Sequence, residues 1–228
     1  MRPLNVFVAA SFVISSAGSV FATTITFDDQ PPVTNNMQAG NTYDALGIHI
    51  STLLSIPDTV DAVGDIFTAT TASDTFWLIS NPGGGGSISN PNFAAATNGG
   101  LREVLFTFLS PVTSLSLQTD NTPGEAADVV RLLALQLIGP NQYQVVAVAS
   151  GLDNATSSPA NLLQVSGSTF SYAIFQTTTE QEGFDNVTFA QVPEPATLGL
   201  LLTGVTGLVY RKRRRNQAPP THRQLDQV

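Results

Sequence analysis

Residues 129–149 read VVRLLALQLIGPNQYQVVAVA, two apolar segments joined by the turn-forming residues Gly139-Pro140-Asn141. Glycine, proline and asparagine favour tight turns, so this pattern predicts a β-hairpin. The alanine and leucine content of residues 126–137 is also compatible with a helix. A strand is favoured because proline and glycine bound the segment on both sides, and because residues 143–149 supply a hairpin partner.

Similar segments continue through the chain from residue 23 onward. Short stretches rich in β-branched and aromatic residues alternate with turn residues, at intervals of roughly 8 to 12 residues. Besides the hairpin, we expect strands at residues 24–27, 46–54, 66–70, 75–80, 101–109, 112–119, 162–165, 169–175 and 186–190, with a break at Ser110-Pro111. No long segment before the C-terminal region has convincing helical periodicity. The sequence therefore predicts an all-β sandwich or barrel.

The N-terminus has the layout of an export signal. Arg2 is the only charged residue before Asp28, and residues 4–20 are apolar or small. Ala22 follows this stretch, and we expect a signal peptidase to cleave after it, removing residues 1–22. An uncleaved anchor is the alternative, but the apolar core is shorter than the roughly 20 residues that span a bilayer.

The C-terminal region contains a proline-rich break, an apolar run and a basic block, in that order. Pro193, Glu194 and Pro195 are followed by apolar residues 198–210, and then by the cations Arg211, Lys212, Arg213, Arg214 and Arg215. The prolines favour an extended, accessible segment. The apolar run can form a single transmembrane helix, and the five cations then keep the end that follows in the cytoplasm.

This arrangement resembles the PEP-CTERM sorting signal of exported bacterial proteins, also described as an ice-binding protein C-terminal motif. The resemblance implies processing by an exosortase, a membrane transpeptidase that cuts near Pro-Glu-Pro. It covers residues 192–215 only, and residues 216–228 continue as a polar cytoplasmic tail where family members usually end. An ordinary single-pass anchor with a chance Pro-Glu-Pro is the alternative.

Between the two ends, residues 23–191 have the size of one domain with its own core. The chain has 17 acidic and 9 basic residues, and this domain holds all the acidic ones except Glu194 and Asp226. Its basic residues are Arg102 and Arg131 alone, so 15 acids against 2 arginines give a net charge of -13. Such a surface repels nucleic acid, which excludes that class of partner. The absence of cysteine excludes disulfide frameworks and thiol chemistry.

Three short segments of the domain, residues 25–29, 132–139 and 183–189, resemble jelly-roll β-sandwich domains of the carbohydrate-binding type. In those domains the first and last strands lie side by side and a structural calcium can bridge them. The resemblance therefore implies Asp28, Asp29 and Asp185 as calcium ligands, and Ca²⁺ does take about six to eight oxygen ligands. The alternative is that these aspartates cap turns in their own backbone.

Residues suited to catalysis are scarce in the domain. His49, its sole histidine, lies within a predicted strand, and we interpret it as a strand residue with a satisfied ring. The carboxylate pairs Asp58/Asp61 and Glu180/Glu182 are candidates for glycosidase chemistry, but their spacing does not place them across a substrate. We predict that the protein is not an enzyme.

Aromatic residues offer a different function, the stacking of sugar rings on a binding face. Trp77 is best explained by a strand buried on both faces, while Tyr43, Tyr143 and Tyr172 are equal candidates. We therefore expect an exported surface or extracellular-matrix protein with a structural or adhesive role, first anchored by its C-terminal helix. Its expected partners are signal peptidase, exosortase, the membrane and extracellular polysaccharide. A carbohydrate-binding module for exopolysaccharide is the alternative, and a glycoside hydrolase is a less favoured one.

Overall fold

The computed structural model describes residues 22–30, 37–39, 41–54, 56–73, 76–80, 92–95, 103–119, 128–153, 162–178 and 183–192. Residues Val20–Val192 form one compact unit. The predicted transmembrane run, the basic block and Pro193, Glu194 and Pro195 lie outside the described residues, as do residues 1–21 of the predicted signal peptide. No helix in the described part of the chain is long and apolar enough to cross a membrane.

The described residues form twelve strands and one 3₁₀ helix, Asn41–Leu46, so the all-β prediction is confirmed. The strands are β1 Ala22–Ile25, β2 Met37–Ala39, β3 Ile48–Leu53, β4 Ile66–Thr68, β5 Thr71–Ser73, β6 Phe76–Ser80, β7 Asn92–Ala95, β8 Glu103–Thr119, β9 Asp128–Gly139, β10 Gln142–Asp153, β11 Leu162–Thr177 and β12 Gly183–Gln191. The sequence pattern did not predict β2, β5 and β7, which are three or four residues long.

The predicted hairpin is formed by β9 and β10. These strands pair antiparallel from Gln142 opposite Gly139 to Asp153 opposite Asp128. Asn141 occupies the turn with φ of 54°, a left-handed conformation that asparagine tolerates better than most residues. The strand prediction for residues 129–137 is therefore confirmed over the helical alternative.

The expected break at Ser110-Pro111 is wrong, because β8 runs through it as one strand of 17 residues. Pro111 cannot donate a backbone hydrogen bond, but its carbonyl still accepts one from the Val192 amide at 2.9 Å. β11 pairs with both halves of β8, and its register shifts between Ser166 and Tyr172 absorb the irregularity. The two strand segments expected at residues 162–175 are likewise one strand.

All twelve strands belong to one sheet, in which β8 and β11 connect two halves. One half has the order β3-β8-β11-β9-β10-β4, and the other runs β2-β6-β7-β12-β8. β1 pairs with β12 from Ala22 opposite Ala190 to Ile25 opposite Val187, so the first and last strands lie side by side as the jelly-roll resemblance implied. The jelly-roll topology itself stays a prediction.

Two apolar clusters fix this arrangement. The inner cluster contains side chains from both halves of β8, among them Phe106 and Leu115, so the sheet folds over around it. The outer cluster lies on the opposite face of β8, β9 and β11, where alternate residues such as Leu105, Leu133 and Ile174 point. The segment after β3 covers part of this outer face with the buried side chains of Ile56, Val60, Phe67 and Ala69.

Candidate functional site

On the face of the sheet that carries the outer cluster, some side chains are only half-buried, and Tyr172 is one of them. Tyr172 on β11 pairs with Leu135 of β9 on one side and with Thr107 of β8 on the other. Thr107 in turn pairs with His49 of β3. Directly opposed residues of neighbouring strands point to the same side of a sheet, so these four side chains form one row. Tyr172, Thr107 and His49 are all half-buried.

An open cleft of about 290 Å³ adjoins this row. It is lined by Pro111, Gln136, Leu137, Thr169, Phe170, Ser171 and Tyr172. Gln136 and Thr169 are exposed, whereas Phe170 is buried. The residues that line the cleft therefore include a half-buried tyrosine, one amide residue and two hydroxyl residues, whose side chains can both donate and accept hydrogen bonds.

A second tyrosine holds the Tyr172 ring in place. The rings of Tyr143 and Tyr172 lie 5.5 Å apart in a T-shaped arrangement, and Phe67 stacks on Tyr143 at 5.9 Å. Tyr143 is 8 % exposed, so it supports the cleft without offering a ring face to a ligand. Burial raises the pKa of the Tyr143 phenol, and the neighbouring Tyr172 raises it further. The Tyr143 phenol therefore stays neutral over the ordinary pH range.

Tyr43 is excluded from a binding face, because it is 2 % exposed and belongs to the inner cluster. Its hydroxyl donates a hydrogen bond of 2.8 Å to Oδ1 of Asp29. The side chain of Trp77 lies outside the described residues. Of the three tyrosines that the sequence could not separate, Tyr172 is the one that lines the cleft found in the described part of the chain.

Two of the three predicted calcium ligands lie near one another. Asp29 accepts from Tyr43, and the carboxylates of Asp29 and Asp185 both act on the Tyr43 phenol to raise its pKa. Asp185 is fully buried, and its Oδ1 accepts a 2.6 Å hydrogen bond from the Asn186 amide. Asp28 is half-buried in the turn after β1.

Asp29 and Asp185 each accept a hydrogen bond from a protein group. Among the described residues, no group of three or more histidine, aspartate or glutamate side chains is placed to hold a metal ion. The hydrogen bond at Asp185 comes from the backbone amide of the next residue, at a register shift within β12. The assignment of calcium to Asp28, Asp29 and Asp185 stays a prediction.

His49 makes a 2.9 Å contact from Nδ1 to Oδ1 of Asp44, a residue of the 3₁₀ helix just before β3. This is the satisfied ring that the sequence interpretation assigned to it. Asp61 offers its backbone amide to Oδ2 of Asp65, which closes a turn. Glu180 and Glu182 lie outside the described residues.

The sequence did not predict the polar residues that line the cleft. Gln136, Thr169 and Ser171 come from two strands, and the register shifts of β11 bring them beside Pro111 of β8. No local sequence pattern predicts that residues from these strands come together. Among the lining residues, only Tyr172 had been predicted as a candidate for ligand binding, because it is aromatic.

The cleft adjoins the point where the chain leaves the sheet, since the Val192 amide donates to the carbonyl of Pro111. A known sequence motif begins at this point, at the last residue of β12. Residues 191–215 match the family model of the PEP-CTERM protein-sorting motif. The motif indicates a protein that is sorted by an exosortase system, with export and association with the cell envelope. No curated protein and no solved structure matches the chain.

Proposed function

We propose that this protein is an adhesive component of the cell surface or extracellular matrix whose β domain binds extracellular polysaccharide at the Tyr172 cleft. In this proposal residues 1–22 direct export and residues 198–210 hold the chain in the membrane until an exosortase acts on it. The observation that carries the binding part is that the half-buried Tyr172 lines an open cleft together with the polar residues Gln136, Thr169 and Ser171.

Sugar recognition needs both kinds of group. The apolar C–H face of a pyranose packs on an aromatic ring, while its hydroxyl groups exchange hydrogen bonds with amides and hydroxyls. Tyr172 supplies the ring, and Gln136, Thr169 and Ser171 supply the hydrogen-bonding groups. Because the cleft is open rather than enclosed, it suits a chain that continues beyond the site.

The negative charge of the domain favours some classes of polysaccharide over others as ligands. With 15 acidic residues against 2 arginines in residues 23–191, the surface repels a polymer rich in uronic acids or sulfate. A neutral polysaccharide, or one with free amino groups, meets no such barrier. We therefore expect binding to neutral glycans that weakens little as salt is added.

The test compares polysaccharide binding by the exported protein and by variants of Tyr172. Tyr172→Ala removes the ring, and we expect affinity for a neutral glycan to fall about tenfold, equivalent to about 1.4 kcal/mol, in isothermal titration. Tyr172→Phe keeps the ring and is expected to retain most of the binding. Leu162→Ala is the control, since it is an exposed apolar residue of the same strand outside the cleft lining. Equal affinities for the wild type and Tyr172→Ala would show that polysaccharide does not bind at the Tyr172 cleft.

A further inference from the structure

Exposed apolar side chains lie at the point where the chain leaves the β domain. Leu109 keeps 69 % of its surface accessible and Leu46 keeps 45 %, and Pro111 is exposed as well. The Leu109 amide donates a 3.0 Å hydrogen bond to the carbonyl of Gly47, the residue after Leu46, so the backbones of Leu46 and Leu109 lie close together. We call Leu46, Leu109 and Pro111 the exit patch.

The end of β12 is attached to the same patch. The Val192 amide donates to the Pro111 carbonyl at 2.9 Å, and Nε2 of Gln191 lies 2.6 Å from the position that a Cβ atom on residue 47 would occupy. Gly47 leaves room for the Gln191 side chain because it has no Cβ atom, and its φ of 89° also favours glycine. The exit patch and the last residue of the sheet are therefore fixed to each other.

A short linker connects Val192 to the run that we propose to hold the chain in the membrane. Five residues, 193–197, separate Val192 from residues 198–210, and even a fully extended linker of that length spans at most about 18 Å. A compact domain the size of Val20–Val192 is about 40 Å across. Since the linker is shorter than the domain, the exit patch must lie near the bilayer while residues 198–210 are inserted in it.

The segments that supply the exit patch carry no acidic residue. Residues 45–52, 104–119 and 186–192 contain no acid, although the domain as a whole has 15. Asp44 is the acidic residue closest in sequence to the patch, and its Oδ1 is held by Nδ1 of His49 at 2.9 Å. A bilayer with anionic lipid, which repels an acidic domain, can therefore be approached through these uncharged segments.

We propose that the exit patch is a lipid-docking surface that holds the β domain against the bilayer while the chain is anchored. The proposal rests on the anchoring step of the proposed function and adds the contact that orients the domain. Leucine and proline side chains can enter the boundary between headgroups and acyl chains, where their apolar surface is removed from water. Pro111 also borders the Tyr172 cleft, whose other lining residues come from β9 and β11 and lie outside the patch.

The linker allows a small patch to be sufficient. Two leucines and one proline bind lipid weakly by themselves, but a short flexible linker gives the patch an effective concentration in the millimolar range at the membrane surface. Contacts that are too weak to hold a free domain can therefore hold a tethered one. Once an exosortase has cut the chain, this tether is gone, and the patch alone no longer holds the domain on the bilayer.

The chain has no cysteine, so an introduced cysteine is the only site that a thiol-reactive fluorophore labels. Ser110→Cys, between Leu109 and Pro111, carries the reporter in the unprocessed exported chain, which is reconstituted into phosphatidylcholine vesicles containing spin-labelled phosphatidylcholine. We expect the spin-labelled lipid to quench this reporter. A reporter at Leu162→Cys, which is 63 % accessible and pairs with Gln118 near the end of β8, is expected to remain unquenched.

Leucine substitutions in the Ser110→Cys protein test the contact itself. Leu46→Ser/Leu109→Ser removes most of the apolar surface of the patch, and we expect the quenching to be lost while the chain still floats with the vesicles in a density gradient. The control Leu54→Ser/Leu162→Ser changes two leucines outside the patch that are 52 % and 63 % accessible, and it should keep the quenching. All four leucines are exposed, so both variants should keep the thermal transition of the parent protein.

Each contrary outcome points to a different cause. An unquenched wild-type reporter on floating vesicles overturns the docking contact and leaves the anchor in place. Quenching that survives Leu46→Ser/Leu109→Ser overturns the proposal and assigns the lipid contact to other residues. Protection of the reporter from soluble iodide without quenching by lipid also overturns it and assigns the patch to a protein contact, such as a second copy. A chain that does not float with the vesicles overturns the anchoring step as well, so the failures of the two proposals are distinguishable.

Discussion

Tyr43 connects the first turn of the domain to its last strand. Its ring packs edge-on against Phe27 at 5.4 Å, and its hydroxyl donates to Asp29. Burial raises the pKa of the Tyr43 phenol far above its ordinary value of 10.0, and the carboxylates of Asp29 and Asp185 raise it further. The neutral phenol is therefore the form that the folded protein stabilises.

The pKa of Tyr43 predicts a loss of stability at alkaline pH. Because the folded pKa is raised, the contribution is present in full below pH 10.0 and is lost as pH rises above that value. We expect the free energy of unfolding to fall by up to about 1.4 kcal/mol per pH unit in this range for this one proton. Tyr43→Phe should be less stable at pH 7, since the hydrogen bond to Asp29 is lost, and should fall less steeply.

Urea denaturation between pH 8 and pH 11 measures this difference. Tyr172→Phe serves as the control, because it removes a half-buried phenol and leaves Tyr43 in place. Parallel slopes for the wild type and Tyr43→Phe would show that another group causes the alkaline loss.

At Gln176 we expect a substitution to increase the stability of the protein, in contrast to the decrease expected for Tyr43→Phe. Its side chain is fully buried on the outer face of β11, and neither its Nε2 nor its Oε1 has a hydrogen-bond partner among the described residues. It lies between Glu103 of β8 and Arg131 of β9. A buried amide without partners costs about 1–3 kcal/mol, and an apolar side chain of similar volume avoids that cost.

We therefore expect Gln176→Leu to raise the free energy of unfolding by about 1 kcal/mol or more. In urea titrations the midpoint should increase while the slope stays constant. Gln164→Leu on the same strand is exposed and should change stability by no more than about 0.5 kcal/mol. A destabilised Gln176→Leu protein would show instead that the amide is satisfied in solution.

At the scale of elements, local signals predicted the hairpin and missed the long strands. Residues 129–149 carry their own turn and two matching apolar runs, so β9 and β10 could be read directly. The continuity of β8 could not, because Pro111 is normally a strand breaker, and here it is flanked by the register shifts of β11 and accepts a hydrogen bond from Val192 at the far end of the domain. The residues of the cleft come from β8, β9 and β11, and residue type alone pointed only to Tyr172 among them.

At the scale of the whole molecule, the folded domain passes directly into the sorting motif. β12 ends at Gln191, the first residue of the match to the motif, and Val192 is still hydrogen-bonded to Pro111. Pro193 and Pro195 follow at once, where an enzyme must reach the chain without competing sheet pairing. Domain folding and processing are therefore expected to be separable by mutation.

Pro193→Ala/Pro195→Ala is predicted to block processing and leave the β domain intact. In a host with an exosortase system, the unprocessed chain should accumulate in the membrane fraction, as measured by fractionation and by the intact mass of the product. Its thermal transition and glycan affinity should equal those of the wild type, since the two substitutions leave every residue of the twelve strands and of the cleft unchanged. Pro219→Ala/Pro220→Ala is the matched control, because it removes two neighbouring prolines outside residues 191–215 and should be processed normally. If both double variants reach the same location with the same mature mass, Pro-Glu-Pro is not the element that directs sorting of this chain.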